Sequence, residues 1–395
     1  MSLRASCALT LLASLALAGS GRSISLTDYR FPTSTTQQAY LNGSFNSSGN
    51  SQDSLQVGYN LGGSGTYWLA LRSLPFSYDI TGEASYSTSK GTADGAKAED
   101  AWNVNVNTTM DKYLRDEGRT FVYGGAAIDF RKLAGEDAAD DPRVDLEAGA
   151  GLGRTINATV LKVAVRMNED FVKYGVTTGS LPDSALLELA AIIDREDEFR
   201  STYGAIEYRK YWYEEMERIL ISAGVLGGEN LGALGVLRIQ EVLDEPTAQR
   251  WHGWAARVGV GARVSDYNGD SGDPRLVARL DYHRPVGFDL QMTNRTSLAT
   301  VFASDPVYSL QNVFRVDYEI SNQIDWYNGL TLNYDILTAP AAENSFAAAF
   351  NSSFIFYLEN RLSITPELQY RFIDDGMGDA EWNWAILGGL TYRLK

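Results

Sequence analysis

The sequence has little cysteine, little histidine and no long apolar run, and each shortage excludes a class of protein. Its one cysteine, Cys7, has no second cysteine to bond, so disulfides within the chain do not hold the fold together. No apolar run approaches the roughly twenty residues that a membrane-spanning helix needs, which excludes a bundle of membrane helices. Catalysis by a histidine would have to use His252 or His283, and neither lies in a recognisable nucleophile motif.

Basic residues are also in short supply. The chain has 34 Lys and Arg against 50 Asp and Glu, which gives a formal net charge of −16. Nucleic acid and anionic membrane surfaces are therefore poor partners for the molecule as a whole. The chain is instead rich in tyrosine and glycine, with 22 Tyr, 37 Gly and only 10 Pro, as expected for a large all-β protein with many tight turns. Composition alone allows either a barrel or a sandwich.

The N-terminal residues predict an exported protein. Arg4 precedes an apolar stretch from Ala5 to Ala18, which ends in the small-residue sequence ALA before Gly19. This pattern predicts a secretory signal peptide over residues 1–18, because the stretch is too short for a membrane anchor. Residues 19–36 are polar and have no clear period, and we expect them to form a periplasmic lead-in or a plug segment.

The last stretch, residues 381–395, shows the pattern that organises the chain. Alternate positions are apolar, and they are Trp382, Trp384, Ile386, Gly388, Leu390, Tyr392 and Leu394. A period of two predicts a β-strand with two different faces. The same alternation recurs in segments over residues 37–155 and again over residues 249–395. The linkers between these segments alternate between short and long, as they do in barrels that cross a membrane.

Between the two sets of strands, over residues 156–248, the apolar period lengthens to that of helices. Each predicted helix has a polar face, which indicates a water-exposed insert rather than a membrane bundle. The two periods together predict a mainly β fold, an antiparallel transmembrane β-barrel of about 14 strands with an α-helical insert between strands 6 and 7. If the N-terminus is periplasmic, an even number of crossings places the insert in the periplasm.

The second face of the strands is rich in charge. Its charged residues are predicted to line the lumen, and they are Arg257, Arg263, Arg279, Asp281, Arg295, Arg315, Asp317, Glu319, Asp335, Glu367, Arg371 and Arg393. Burying them in a dry core would be costly unless all were paired, whereas a water-filled lumen removes that cost. The alternative is a soluble sheet protein with solvated outer faces. The apolar faces end in aromatic residues, however, as the interfacial girdles of membrane barrels do.

The closing strand carries a second signature. Its Gly389, Tyr392 and Leu394 match the Gly-x-x-aromatic-x-hydrophobic end of an assembly signal, although such signals often finish on Phe and this chain finishes on Leu394-Lys395. With this ending and its strand pattern, the chain resembles the bacterial outer-membrane β-barrel proteins and is porin-like in layout. The resemblance implies the outer membrane of a Gram-negative bacterium, contact with lipid and lipopolysaccharide, and folding by the barrel assembly machinery. It implies no cofactor and leaves the oligomeric state open.

One loop of the second set of strands is a candidate metal site. Asp266, Asn268 and Asp270 place oxygen donors at alternate positions, as a calcium loop does. The glycine and the twelfth position of this loop depart from the EF-hand pattern. A solvated acidic loop is the alternative interpretation.

The insert contains a candidate partner-binding segment. Tyr208, Tyr211 and Trp212 stand among charged residues, a composition suited to binding a periplasmic partner, the barrel mouth or peptidoglycan. The alternative is that these residues form the core of a small helical bundle, with the tyrosine tips in water.

These features predict an outer-membrane channel through which small hydrophilic solutes diffuse passively, with a periplasmic helical domain at its inner mouth. Charged residues on facing walls would then set the selectivity for size and charge. The main alternative is a non-conducting barrel that anchors the helical domain as a scaffold for a periplasmic partner or the cell wall. An outer-membrane hydrolase is a more distant alternative, and we expect no enzyme activity.

Overall fold

The fold is one closed β-barrel with a helical insert. The computed structural model describes residues 24–30, 33–50, 56–93, 95–339, 342–376 and 380–394. Fourteen antiparallel strands follow one another around the barrel, and four α-helices lie between the sixth and seventh strands, which confirms the predicted fold class. The signal peptide predicted over residues 1–18, with Cys7, lies outside the described residues.

The strands are long enough to cross a membrane. They are β1 Ser34–Asn50, β2 Gln56–Arg72, β3 Phe76–Lys90, β4 Ala98–Tyr113, β5 Thr120–Lys132, β6 Arg143–Asn157, β7 Trp251–Ser265, β8 Arg275–Val286, β9 Leu290–Val301, β10 Val307–Ser321, β11 Ile324–Leu337, β12 Ser345–Glu359, β13 Leu362–Asp374 and β14 Glu381–Arg393. β1 begins at Ser34, inside the range predicted as a lead-in, because residues 34–36 already pair with β2.

The insert comprises α1 Thr159–Lys173, α2 Asp183–Ile193, α3 Glu196–Ser222 and α4 Gly232–Asp244. Gly175 follows α1 with φ of 70°, a left-handed conformation that glycine adopts without strain and that ends the helix. Within the described part of the chain, no helix has the length and hydropathy to span a membrane.

The two ends of the barrel differ in their connections. At one end the strands are joined by short turns, such as residues 322–323 and 360–361, and this end also carries the insert and the start of β1. At the other end the connections are longer, such as residues 133–142 and 266–274. We call these the short-turn end and the long-loop end.

The two faces of the wall differ in chemistry. Outward-facing positions carry exposed apolar side chains such as Val258, Leu298 and Ile386. The other parity faces the lumen, where Arg257 of β7 bonds Asp111 of β4, although these strands are not neighbours. Such a contact can form only through the interior. In hydrocarbon every backbone group must be paired, and a closed barrel with an apolar exterior meets that requirement.

The helical insert has a hydrophobic core of its own. Residues from all four helices, from the segment before β1 and from the β8–β9 turn are buried together, and they include Leu161, Met167, Phe171, Leu189, Met216, Leu220, Ile239, Leu26, Tyr29 and Phe288. The segment before β1 and the insert therefore form one folded unit at the short-turn end.

Candidate functional site: the lumen and its short-turn mouth

The lumen-facing side chains of β4 to β10 form a continuous surface of ion pairs, which we call the charged wall. Arg257 is its centre, because its guanidinium bonds Asp111 Oδ2 at 2.7 Å and Asp281 Oδ2 at 2.6 Å. Only 11% of the Arg257 side chain and 3% of the Asp111 side chain are exposed. The pair therefore braces three strands inside the barrel, where water does not screen it.

Aromatic side chains lie flat against the same wall. The Tyr123 hydroxyl donates to Glu147 Oε1 at 2.6 Å, and Arg279 Nη2 bonds Glu147 Oε2 at the same distance. A Cβ atom at Gly259 would lie 2.4 Å from the Tyr123 hydroxyl and 2.4 Å from the Ala148 carbonyl. The tyrosine therefore passes over β6 at Gly149, and glycine at position 259 leaves room on β7 for its hydroxyl beside Glu147.

All twelve residues predicted to line the lumen lie at inward-facing positions of their strands, but their surroundings differ. The side chains of Arg295 and Arg315 are 63% and 51% exposed, so water reaches the middle of the lumen. Glu319, by contrast, is 7% exposed, because the insert covers it. Lining of a conducting path stays a prediction for the set as a whole.

A buried cluster of charges joins the insert to the charged wall. Lys162 and Arg166 of α1 both bond the Glu319 carboxylate of β10, with Arg166 Nη2 2.5 Å from Glu319 Oε1. Lys162 is 4% exposed, and burial together with the nearby Arg250 lowers its pKa to about 8, whereas Glu319 acts in the opposite direction. Removing Glu319 would take the buried counter-charge from both cations and leave them only the more exposed Asp289 and Glu245.

Further bonds fasten the insert around the mouth. Arg250, fully buried, donates to the carbonyls of Phe288 and Asp289 in the β8–β9 turn. On the far side, Arg393 Nη2 of β14 donates to the Asp244 carbonyl at the end of α4, at 3.1 Å. β7, which follows the insert, and β14 are seven positions apart among fourteen strands, and so lie on opposite sides of the barrel. The insert therefore spans the short-turn mouth.

The segment before β1 is docked on the insert by contacts that its sequence did not predict. The Tyr29 hydroxyl donates to Asp194 Oδ2 at 3.4 Å, and His252 Nε2 lies 2.8 Å from the Tyr29 carbonyl. Burial raises the pKa of Asp194 to about 7. The other histidine, His283, lies inside the wall with Nδ1 3.3 Å from Thr293 Oγ1. No spacing rule links positions so far apart in the chain.

The predicted partner-binding residues do not form one exposed surface. Tyr208 and Trp212 are buried in the insert core, Tyr208 bonded to Glu196 and Trp212 to the Ile192 carbonyl, whereas Tyr211 is half-buried. The burial of Tyr208 and Trp212 matches the bundle-core alternative for these two residues, and partner binding by the segment stays a prediction. The amphipathic period of α3 places Tyr208 and Trp212 on its inner face because they are four residues apart.

The predicted calcium loop folds as a hydrogen-bonded turn. Asp266 is paired with Arg263 at 3.0 Å, and the Asn268 side chain bonds Asp270 at 2.7 Å. In the ranges that the structure describes, no group of three or more His, Cys, Asp or Glu is placed to hold a metal ion. The oxygen donors are turned towards partners within the loop rather than towards a common centre.

The closed even-stranded ring, apolar outside and charged inside, is the fold of the bacterial outer-membrane β-barrels. No protein-family model and no curated protein matches the sequence. Similar solved structures include Pseudomonas aeruginosa OpdQ, 7% identical over 92% of this chain and 98% of that chain, with a TM-score of 0.33.

Two further solved structures are similar at the same low level. The bacterial polysaccharide outer membrane secretin is 8% identical over 93% of this chain and 100% of that chain, with a TM-score of 0.31. The CymD monoaromatic hydrocarbon channel is 10% identical over 93% of this chain and 90% of that chain, with a TM-score of 0.29. Similarities at this level say nothing about a solute or a partner of this protein. The assignment of the fold class rests on the strand order and on the chemistry of the two faces of the wall.

Proposed function

We propose that this protein is an outer-membrane channel for the passive diffusion of small hydrophilic solutes, and that the helical insert regulates it by covering its periplasmic mouth. The observation that carries the proposal is the water-exposed charge in the middle of the lumen. Arg295 and Arg315 project into a space that wall side chains leave open, although the barrel exterior is apolar.

The orientation follows from the connections. Barrels of this kind have short periplasmic turns and longer outer loops. The insert and the segment before β1 lie at the short-turn end, which favours a periplasmic location for both. A solute would therefore enter from the long-loop end, pass the charged wall and meet the insert last.

The insert supports a closed resting state. It contacts β10 and β14, which are four positions apart in the ring, and its end leads into β7, on the opposite side of the mouth from β14. Its charge cluster on Glu319 is buried. Passage then requires the insert to move, and the bonds of Lys162 and Arg166 to Glu319 are the ones that oppose this movement.

Single-channel recording in a planar bilayer tests the proposal. We expect rare, brief openings from the intact protein and frequent openings after Glu319→Gln, because the substitution takes the counter-charge from Lys162 and Arg166. Glu343→Gln, in an exposed loop at the long-loop end, is the matched control. A complete absence of conductance from every variant, including one without residues 159–244, would overturn the channel proposal.

The same contacts favour one second candidate, a non-conducting barrel that anchors the helical domain. An insert fixed at separate places around the mouth would suit a scaffold that presents α3 to a periplasmic partner or peptidoglycan. Tyr211 is the predicted partner-binding residue that such a partner could reach, since Tyr208 and Trp212 are buried. The conductance experiment separates the two candidates.

A further inference from the structure

The seam between β1 and β14 is paired over a much shorter length than the seams beside it. Its register contains three pairs, from Tyr40–Arg393 to Asn42–Thr391. β1 pairs with β2 along its whole length, and β14 pairs with β13 from Tyr392 to Glu381. Among the residues that the structure describes, positions 43–50 of β1 and 381–390 of β14 thus have no ladder partner across the seam, and the two strand edges are unpaired towards the long-loop end.

Unpaired strand edges are unfavourable in a membrane. Each free edge of an antiparallel ladder presents N–H and C=O groups, and hydrocarbon offers them no hydrogen bonds. The two edges can satisfy each other, because the register of the paired part continues without a slip. Ser44 would then face Gly389, and Gly43 would face Leu390. The seam can therefore close by simple extension of the existing pairing.

The lumen surface beside the seam is uncharged, and we call it the seam wall. It consists of the inward-facing positions of residues 36–44 in β1, 58–70 in β2 and 383–391 in β14, and none of these positions is Asp, Glu, Lys or Arg. Leu387 faces this lumen surface and is 46% exposed. An apolar side chain exposed to a water-filled lumen is unfavourable unless something apolar contacts it.

The outer surface beside the unpaired edges is apolar, and it contains one position without a side chain, Gly388. Phe45 and Ile386 are among the most exposed apolar side chains of the barrel exterior. Gly388 separates Ile386 from Leu390, and a Cβ atom added at Gly388 would meet nothing within 4 Å. The lumen surface at Leu387 and the exterior at Ile386 therefore meet at an edge without a bulky barrier.

We propose that the seam is a lateral passage through which a small uncharged amphiphile moves between the lumen and the membrane. The apolar part of such a molecule would contact Leu387 inside and Phe45 or Ile386 outside, and its polar group would bond the free edges. A charged solute would be retained by the charged wall, and a pure hydrocarbon would leave the edge groups unpaired. The passage goes beyond the diffusion of hydrophilic solutes, which needs no opening in the wall.

A disulfide that locks the seam tests the proposal. In a Cys7→Ser background, Ser44→Cys and Gly389→Cys place two thiols at positions that the continued register sets opposite each other. The Leu394 amide donates to the Ala39 carbonyl, so residues 39 and 394 form a hydrogen-bonded pair. Hydrogen-bonded and non-hydrogen-bonded pairs alternate along an antiparallel ladder, which makes 44 and 389 a non-hydrogen-bonded pair. Side chains lie closest in such pairs, as a disulfide requires. The nearest atom to a Cβ at Gly389 is the Thr365 carbonyl at 3.8 Å, which leaves room for cysteine.

The probe is a long-chain alcohol that carries a benzophenone, added to the protein in lipid vesicles, and mass spectrometry locates the photolabelled residues. With the thiols reduced, we expect label on lumen-facing Leu387 and on lipid-facing Ile386. Oxidation should lower the Leu387 label about tenfold and leave the Ile386 label in place, because it removes the open population. Where oxidation does not join the thiols, a short bis-maleimide supplies the lock.

The matched control locks a seam that is already paired. Gln311 and Asn333 are opposed in the β10–β11 ladder with their side chains 3.0 Å apart, and cysteines at both should leave the Leu387 label unchanged on oxidation. The proposal of a lateral passage would be overturned if Leu387 is never labelled, or if its label is equal before and after the disulfide forms between positions 44 and 389. Potassium conductance of the same samples reports separately on the channel proposal, so the two can fail independently.

Discussion

The charged wall and the seam wall lie on opposite sides of one lumen, yet they are held together in different ways. In the charged wall, side chains such as Arg257 bond across strands that are not neighbours, in addition to the backbone ladder. In the seam wall, among the side chains that the structure describes, β1 and β14 share three ladder pairs and one side-chain bond, from Thr391 to Asn42 at 2.9 Å. Cross-strand ion pairs stiffen the first wall, whereas the second is held at its seam by a short ladder and a neutral side-chain bond, and we expect it to open more easily.

This contrast assigns a task to each wall. A rigid wall with fixed guanidinium groups suits selection of polar solutes, since the positions of the charges do not change as a solute passes. A wall without charges and with a short seam suits lateral exchange with lipid. The insert contacts the charged wall through Glu319, and it contacts β14 just beyond the seam wall through Arg393.

The largest expected effect is a loss of stability when a buried ion pair of the charged wall is removed. Arg257→Ala leaves the carboxylates of Asp111 and Asp281 without their partner, and Asp111 is almost fully buried. We expect a loss of about 3–5 kcal/mol in the free energy of unfolding, measured by urea titration in lipid vesicles. Arg315→Ala, which removes a 3.4 Å pair with Asp317 whose arginine is half-exposed, should cost less, about 1 kcal/mol. Equal losses from the two variants would contradict the idea that this wall is braced by buried pairs.

The next largest effect is on the docking of the insert, which is anchored by Glu319 of β10 and by Arg393 of β14. Glu319→Gln removes the carboxylate that two buried cations share, and should weaken docking of the insert by about 3 kcal/mol. Arg393→Gln removes one exposed bond to a backbone carbonyl and should cost about 1 kcal/mol. Hydrogen exchange of the α1 amides measures both losses. Greater exposure of α1 in the Arg393 variant would show that the seam side, not the charged wall, holds the insert.

These features were not equally accessible from the sequence. Alternation predicts the outer and inner faces of β14, because side chains on a strand must alternate, and the same rule places Arg295 and Arg315 in the lumen. The helical period likewise predicts the insert and its position between the sixth and seventh strands. The pairing of Lys162 with Glu319 was not predictable, because 157 positions separate them and any inward carboxylate fits the pattern equally well. The length of the β1–β14 seam depends on how the whole ring closes, which no local pattern encodes.

The third prediction concerns pH and the segment that leads into β1, the first strand of the seam. Burial raises the pKa of Asp194 from 3.8 to about 7 when the segment before β1 is docked on the insert. Between these two pH values the Asp194 carboxyl is protonated in the docked state and ionised in the undocked state. The undocked state binds fewer protons in that range, so docking is strongest below about pH 4 and weakens as the pH rises towards 7.

Hydrogen exchange of the Tyr29 region, corrected for intrinsic rates, measures this dependence. Asp194→Asn keeps a neutral side chain at every pH and should remove the dependence. Protection that increases between pH 4 and pH 7 would mean that the Tyr29 hydrogen bond, which favours the ionised carboxylate, outweighs the burial that favours the protonated one.

The smallest effect is the most specific to the seam. Thr391→Val keeps the volume of the side chain and removes its bond to Asn42 at the last paired position before the opening. We expect a cost of about 1 kcal/mol that appears as faster exchange of the Leu41 and Leu394 amides, which face the seam, with little change in global unfolding, because the β2 and β13 ladders still hold both strands. The control, Thr331→Val, lies on β11, which is paired on both edges. If exchange at the two sites changes equally, the seam is no weaker than the rest of the wall, and the contrast between the walls reduces to their charge.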